Sequence, residues 1–137
     1  MAYLLDTGFF YALLNRQENQ HAGVVAASKR VKEAIYLPTP VIVEVAYLVL
    51  RDLGAGALAE FIDSVPDSGF ALVEPTTVDF RRAAAIIRQY ADAHIDFADA
   101  ILVAMAERLR ITKILTIDQR HFRLFRPVHC IAFELFP

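Results

Sequence analysis

Ala2-Tyr3-Leu4-Leu5-Asp6-Thr7-Gly8-Phe9-Phe10 is the stretch on which the reading of the whole chain turns. An unbroken apolar run of strand length suits a strand buried on both faces, and this one stops abruptly at a carboxylate. Residues 7–14 then read as a short helix. A strand that ends in an acid and turns directly into a helix is the opening of a βα unit.

The alternation recurs downstream. Residues 18–33 have helical spacing, with Val24, Val25, Ala27, Ser28 and Val31 on one face. A strand at 35–37 is stopped by Pro38. Pro40 suits the first turn of the next helix, with Thr39 as its N-cap; that helix runs to about Leu53, where Gly54 and Gly56 are expected to end it. A helix at 57–65, the turn Pro66-Asp67-Ser68-Gly69, a strand at 70–73, helices at 77–93 and 97–109, and strands at 113–117 and 128–133 complete the series. Strands alternating with helices predict an α/β fold, a three-layer α/β/α arrangement around a mostly parallel sheet. The chain contains no internal repeat, low-complexity segment or linker, so residues 1–137 are expected to form a single domain.

Composition excludes several classes. The hydrophobic fraction is 56%, above the usual range, which implies a doubly covered sheet or a surface meant for a partner. With a formal net charge of -2, bulk charge does not recommend non-specific nucleic-acid binding. Positive charge is nevertheless concentrated late, at Arg108, Arg110, Lys113, Arg120, Arg123 and Arg126, a pattern that fits either a solvated surface or a rim facing phosphates. The one cysteine, Cys130, cannot form an intrachain disulfide and is expected as a buried free thiol in the 128–133 strand. Neither a signal peptide nor a stretch long enough to span a membrane is evident, and a soluble, cytoplasmic protein is expected.

Four acids stand in apolar surroundings: Asp6 after the first strand, Glu44 within the helix beginning at Pro40, Asp99 in Phe97-Ala98-Asp99-Ala100-Ile101-Leu102-Val103, and Asp118 after Ile114-Leu115-Thr116-Ile117. An ionised carboxylate in such a setting is costly unless it is paired or bound to a metal. No Lys or Arg is the immediate sequence neighbour of any of them. Should the fold bring them together, an all-oxygen cluster would suit Mg²⁺ or Mn²⁺. Such an ion acidifies a bound water and stabilises the leaving oxygen of a phosphodiester. Rival chemistry is missing: there is no phosphate-binding glycine loop, no dinucleotide fingerprint and no serine nucleophile elbow. The four histidines lack metal-ligand spacing, with His121 the nearest to a candidate because it follows Asp118 among arginines. Simpler roles also exist. Asp6 and Asp96 are both placed to cap helices, with Asp99 in the position that would complete a capping box, and Asp118 could open a turn.

Taken in order, Leu4-Leu5-Asp6-Thr7, Pro40-Val41-Ile42-Val43-Glu44-Val45, Asp96-Phe97-Ala98-Asp99-Ala100-Ile101-Leu102-Val103-Ala104 and Leu115-Thr116-Ile117-Asp118-Gln119-Arg120-His121-Phe122 resemble the motifs of PIN-domain ribonucleases, most closely the VapC-type toxins of toxin–antitoxin pairs. The resemblance implies a PIN fold and a Mg²⁺- or Mn²⁺-dependent endoribonuclease. It implies Asp6 and Asp99 as the most direct metal ligands, Asp118 as a further ligand directly or through water, and Glu44 as the acid positioning a metal-bound water. Asp96 becomes an auxiliary acid, and Thr7 and Thr116 supporting hydroxyls. Arg120 and Arg123 are candidates for RNA contact. An antitoxin and a second copy of the chain are the implied partners, and Phe9-Phe10-Tyr11 with Tyr47-Leu48-Val49-Leu50 could line the antitoxin groove. The chain departs from relatives at Gly8, where Asn or Ser is frequent.

Two enzymatic rivals fit poorly. A haloacid-dehalogenase-like phosphatase needs an acid where Gly8 stands, and a receiver domain needs paired acids at the first strand end. A non-catalytic PIN-like protein-binding module remains the alternative, against which the intact acid set argues.

Overall fold

The computed structural model describes residues 1–137. Its elements run β1 (Ala2–Leu5), α1 (Thr7–Leu14), α2 (His21–Arg30), β2 (Ala34–Pro38), α3 (Thr39–Ser64), β3 (Ala71–Val73), α4 (Thr77–Gln89), α5 (Phe97–Leu109), β4 (Lys113–Leu115), α6 (Arg120–Leu124) and β5 (Glu134–Phe136). All five strands are parallel, in the order β3-β2-β1-β4-β5. Helices flank the sheet in a three-layer α/β arrangement. Leu4, Leu5, Ile114 and Leu115 are completely buried, as strands covered on both faces require.

Strand order places the site. The chain winds outward from β1 through β2 to β3, then crosses back to lay β4 on the other side of β1. The connections therefore diverge beyond the carboxyl ends of β1 and β4, which is where open parallel sheets bind ligands. Leu5 pairs with Leu115 in register, so Asp6 and Thr116 emerge side by side. The Asp6 N–H donates to the Leu115 carbonyl at 3.0 Å and holds that edge.

Helix α5 is the central helix, with every residue from Ala100 to Glu107 buried. It packs along α4, and the pair is joined by two ion pairs. Arg82 donates to Glu107 through Nε at 2.7 Å and Nη2 at 3.1 Å. Arg108 Nε reaches Asp79 Oδ2 at 2.9 Å. Glu107 also accepts from the Val128 N–H at 2.8 Å, tying the C-terminal segment to the same helix. Asp79 closes a full capping box with Thr76 at the start of α4.

Several boundaries differ from the sequence expectation for identifiable reasons. Residues 128–133 form turns rather than a strand, and β5 begins at Glu134, whose N–H donates to Thr112 O at 2.8 Å. In that segment Val128 and Ile131 are solvent-exposed, while His129 Nε2 bonds the Ile111 carbonyl at 2.7 Å. The segment is anchored by hydrogen bonds and by the buried Phe133, not by a strand ladder. Cys130 accordingly sits half-buried in a turn, free, its thiol pushed up by burial. At Gly54 the expectation holds: φ 89 and ψ 177, a backbone conformation open essentially only to glycine, break α3 there into two helical segments, whereas Gly56 lies inside the second. Thr39 is the first residue of α3 rather than its cap, which falls to Pro38. The five residues of α6 are too few for periodicity to reveal.

Candidate active site

Asp6, Glu44, Asp99 and Asp118 gather around the carboxyl ends of β1 and β4. Asp6 leaves β1 at the N-terminus of α1, Glu44 lies in the second turn of α3, Asp99 in the first turn of α5, and Asp118 in the loop between β4 and α6. Two threonines knit them together. The Thr7 hydroxyl donates to Glu44 Oε1. Thr116 Oγ1 lies 2.8 Å from Asp6 Oδ2 and 3.1 Å from the Asp118 carbonyl. The Thr116 hydroxyl donates to Asp6, with the Asp118 carbonyl as the alternative acceptor for the same proton.

Asp6 is 8% exposed, and its carboxyl is pushed up to about 7. Burial is the main cause, with the negative charges of Asp99 and Glu44 adding to it and the Thr116 hydrogen bond offsetting part. Asp99 is pushed up to about 6, again chiefly by burial, with Asp96 and Asp118 raising it further and His121 opposing. Asp6 thus feels Asp99 and Glu44, and Asp99 feels Asp118, across long sequence separations. No arginine or lysine forms an ion pair with Asp6, Glu44 or Asp99. Asp6 and Asp99 both sit at helix N-termini, where the backbone dipole favours negative charge but does not neutralise it.

The simpler roles are divided by the geometry. Asp6 occupies the N-cap position of α1 but makes no side-chain cap bond. Asp96 is a true cap, accepting from the Asp99 N–H at 2.9 Å. The expected capping box is only half made, because Asp99 does not reach back to Asp96. Its Oδ2 meets His121 Nδ1 at 2.7 Å instead. His121 is the residue that sequence spacing undervalued; its closeness to Asp118 was the available signal. Asp118 is the outermost acid, about half exposed, with Arg120 Nε at 3.5 Å. This acid therefore does not share the apolar setting that its sequence neighbours suggest, and an exposed pair of this kind contributes little.

The late arginines also separate. Arg108 is committed to Asp79. Arg126 Nη1 donates to the Arg123, Leu124 and Phe125 carbonyls and closes the end of α6. Arg120 and Arg123 are exposed, Arg120 beside Asp118, and Arg123 Nη2 donates to Gln119, the residue that precedes α6. Gly8 has a packing reason: a Cβ there would stand 3.1 Å from Ile117 Cγ1, so a side chain would require Ile117 to give way.

As the side chains stand, no three His, Cys, Asp or Glu groups are arranged to hold a metal ion. The donor set nonetheless suits a hard cation, being all oxygen, partly buried and without an arginine or lysine on Asp6, Glu44 or Asp99.

Beside Glu44 and Asp96 opens a cleft of about 540 Å³, lined also by Val43, Phe80 and Phe97. The Phe80 and Phe97 rings stack at 6.0 Å, and both are about half exposed. Val43, Tyr47 and Leu50 continue an exposed apolar stripe along α3. By contrast, Phe9, Phe10 and Tyr11 are buried in the core, so they cannot line a partner groove; of the second aromatic segment, Val49 is buried as well.

A family model described as PIN domain matches residues 3–126. Over 134 residues, 98% of this chain and 99% of the relative, the sequence is 30% identical to ribonuclease VapC26 of Mycobacterium tuberculosis. The chain belongs to the PIN-domain family, in its VapC branch. Among solved structures, the M. tuberculosis VapC20 toxin, which cleaves the sarcin–ricin loop, superposes with a TM-score of 0.80 at 17% identity, covering 86% of this chain and 91% of that one. VapBC2 from Rickettsia felis, solved on a DNA fragment from its promoter, superposes with a TM-score of 0.72 at 14% identity over 100% of both chains. At these identities the two structures establish the shared fold.

Proposed function

We propose that the protein is a Mg²⁺- or Mn²⁺-dependent endoribonuclease, the toxin of a toxin–antitoxin pair, acting on RNA in the cytoplasm. The observation that carries this reading is the set of mutually repelling carboxylates at the ends of β1 and β4, left without any arginine or lysine on Asp6, Glu44 or Asp99. Family membership supports the nuclease class.

In this reading Asp6 and Asp99 hold the ion, with Asp118 contributing directly or through water. When bound, the ion supplies an acidified water and charge stabilisation at the scissile phosphate. The protein does the rest. Thr116 fixes the Asp6 carboxyl, and β1 and β4 set its position from the sheet. Thr7 occupies Glu44 Oε1, which leaves Oε2 to orient a water and accept its proton. Exposed Arg120 and Arg123 meet flanking phosphates and offset the chain's net negative charge locally.

Two protein partners are part of the reading. The stripe Val43, Tyr47, Leu50 with Phe80 and Phe97 is covered by a second copy of the chain, which sets two acid clusters near one another. A cognate antitoxin inserts an arginine among the acids and competes with metal, since guanidinium binds carboxylates bidentately. That VapBC2 and other neighbours were solved as toxin–antitoxin assemblies supports an antitoxin partner.

The test is cleavage of RNA by antitoxin-free protein with Mg²⁺, with Mn²⁺ and with EDTA. Metal-dependent cutting at internal sites is expected. One observation favours a second reading, a non-catalytic binding module: no three acids are arranged as ligands. A folded sample that binds divalent metal but cuts no RNA would select it.

A further inference from the structure

His121 is the only side chain with a basic nitrogen in contact with the inner acids, and its contact is specific: Nδ1 to Asp99 Oδ2 at 2.7 Å. The surroundings make the imidazole a rigid support. Phe122, the next residue, is 2% exposed and stacked edge-on against Phe125 and Phe133, which anchors the short helix α6 in the core. The His121 carbonyl accepts from the Phe125 N–H, and Arg126 closes the helix end. Across the gap Asp99 is held by the first turn of α5, its own N–H given to Asp96. A carboxylate only accepts, so Nδ1 carries the hydrogen in this contact. The bond therefore takes up one oxygen of Asp99, restrains the carboxylate and leaves Oδ1 without a hydrogen-bond partner.

We propose that His121 is a positioning residue for the metal site: through Nδ1–H it orients the Asp99 carboxylate so that Oδ1 serves as the ligand. The inference rests on the metal-dependent reading above. Partners of this kind behind metal ligands typically change affinity by about 10- to 100-fold when removed.

Mn²⁺ binding to the antitoxin-free protein, measured by calorimetry and by loss of the free-ion EPR signal, is the test. His121→Ala is expected to weaken Mn²⁺ about tenfold or more. His121→Asn, whose amide nitrogen takes the place of Nδ1 and can donate to the same oxygen, is expected to restore most of that affinity. Thermal unfolding of both variants in EDTA identifies a folding defect, which would not be rescued by the amide. Wild-type affinity in His121→Ala overturns this proposal alone, as does an equal loss in both variants. Absence of Mn²⁺ binding in the native protein overturns the metal reading with it.

Discussion

Two aspartates hold the same position in two neighbouring helices and meet opposite fates. Asp79 and Asp99 both stand in the first turn, three residues after a capping residue. Asp79 completes its capping box, is 1% exposed and is neutralised by Arg108. Asp99 leaves its box half made, has no arginine or lysine, and lies among Asp96, Asp118 and Asp6. Both share the spacing of a capping residue and an Asp three positions on, so what separates a structural acid from a functional one is the company the fold supplies. Glu107 with Arg82 and Asp6 without a cation repeat the contrast. The fold pairs its buried acids wherever they only hold helices together, and withholds the partner at the ends of β1 and β4.

The sharpest way to break this contrast is to neutralise one member on each side. Asp99→Asn should lower RNA cleavage on the order of a thousandfold, since a charged ligand is removed, while leaving the circular dichroism spectrum unchanged and the antitoxin bound; retained cleavage would mean that Asp99 is not a metal ligand. Asp79→Ala should do the reverse. It removes a cap and strands the Arg108 guanidinium, costing about 3 kcal/mol in urea unfolding, with the cleavage rate per folded molecule preserved.

A smaller, signed effect concerns pH. Asp6 holds its proton to about 7 in the folded protein against 3.8 when unfolded. Below 3.8 both states are protonated and no difference arises. As pH rises toward 7 the unfolded chain ionises first, so the metal-free fold loses stability across that window and levels off above it. Asp6→Asn, which keeps an acceptor for Thr116, should remove this loss and stabilise the metal-free protein at pH above neutrality by on the order of 2–4 kcal/mol, while abolishing cleavage. Urea titrations in EDTA on either side of the window measure it; identical pH profiles for variant and native chain would mean that Asp6 is not strained by its surroundings.

The smallest expected effect separates the arginines. Charge reversal of Arg120 and Arg123 should weaken RNA binding and lower the salt dependence of binding by about one unit for each phosphate no longer neutralised. Arg126→Ala should instead lower stability with the salt slope unchanged, because its guanidinium is spent on the carbonyls of α6.

Much of this was legible in the chain itself. The buried strand ending at Asp6, the alternation that specifies a parallel sheet, and the boundaries of α5 follow from period and caps, which are local signals. Acid positions could be read for the same reason, since a carboxylate in an apolar run is visible without coordinates. What local pattern could not distinguish was pairing across the fold: Arg82 finds Glu107 from 25 residues away and His121 finds Asp99 from 22. The misplaced last strand has a similar origin. Residues 128–133 are held by the Val128 N–H on Glu107 and His129 on Ile111, expose Val128 and Ile131 and bury Phe133, and no periodicity tells that from a strand.

Everything turns on whether the uncompensated acids hold a divalent ion. Crystals grown with Mn²⁺ and measured at the manganese absorption edge answer this directly. An anomalous peak touched by the carboxylates of Asp6 and Asp99, and absent in Asp99→Asn, is the predicted result. Native crystals with no peak at that place, or with manganese bound only elsewhere on the surface, would contradict the account.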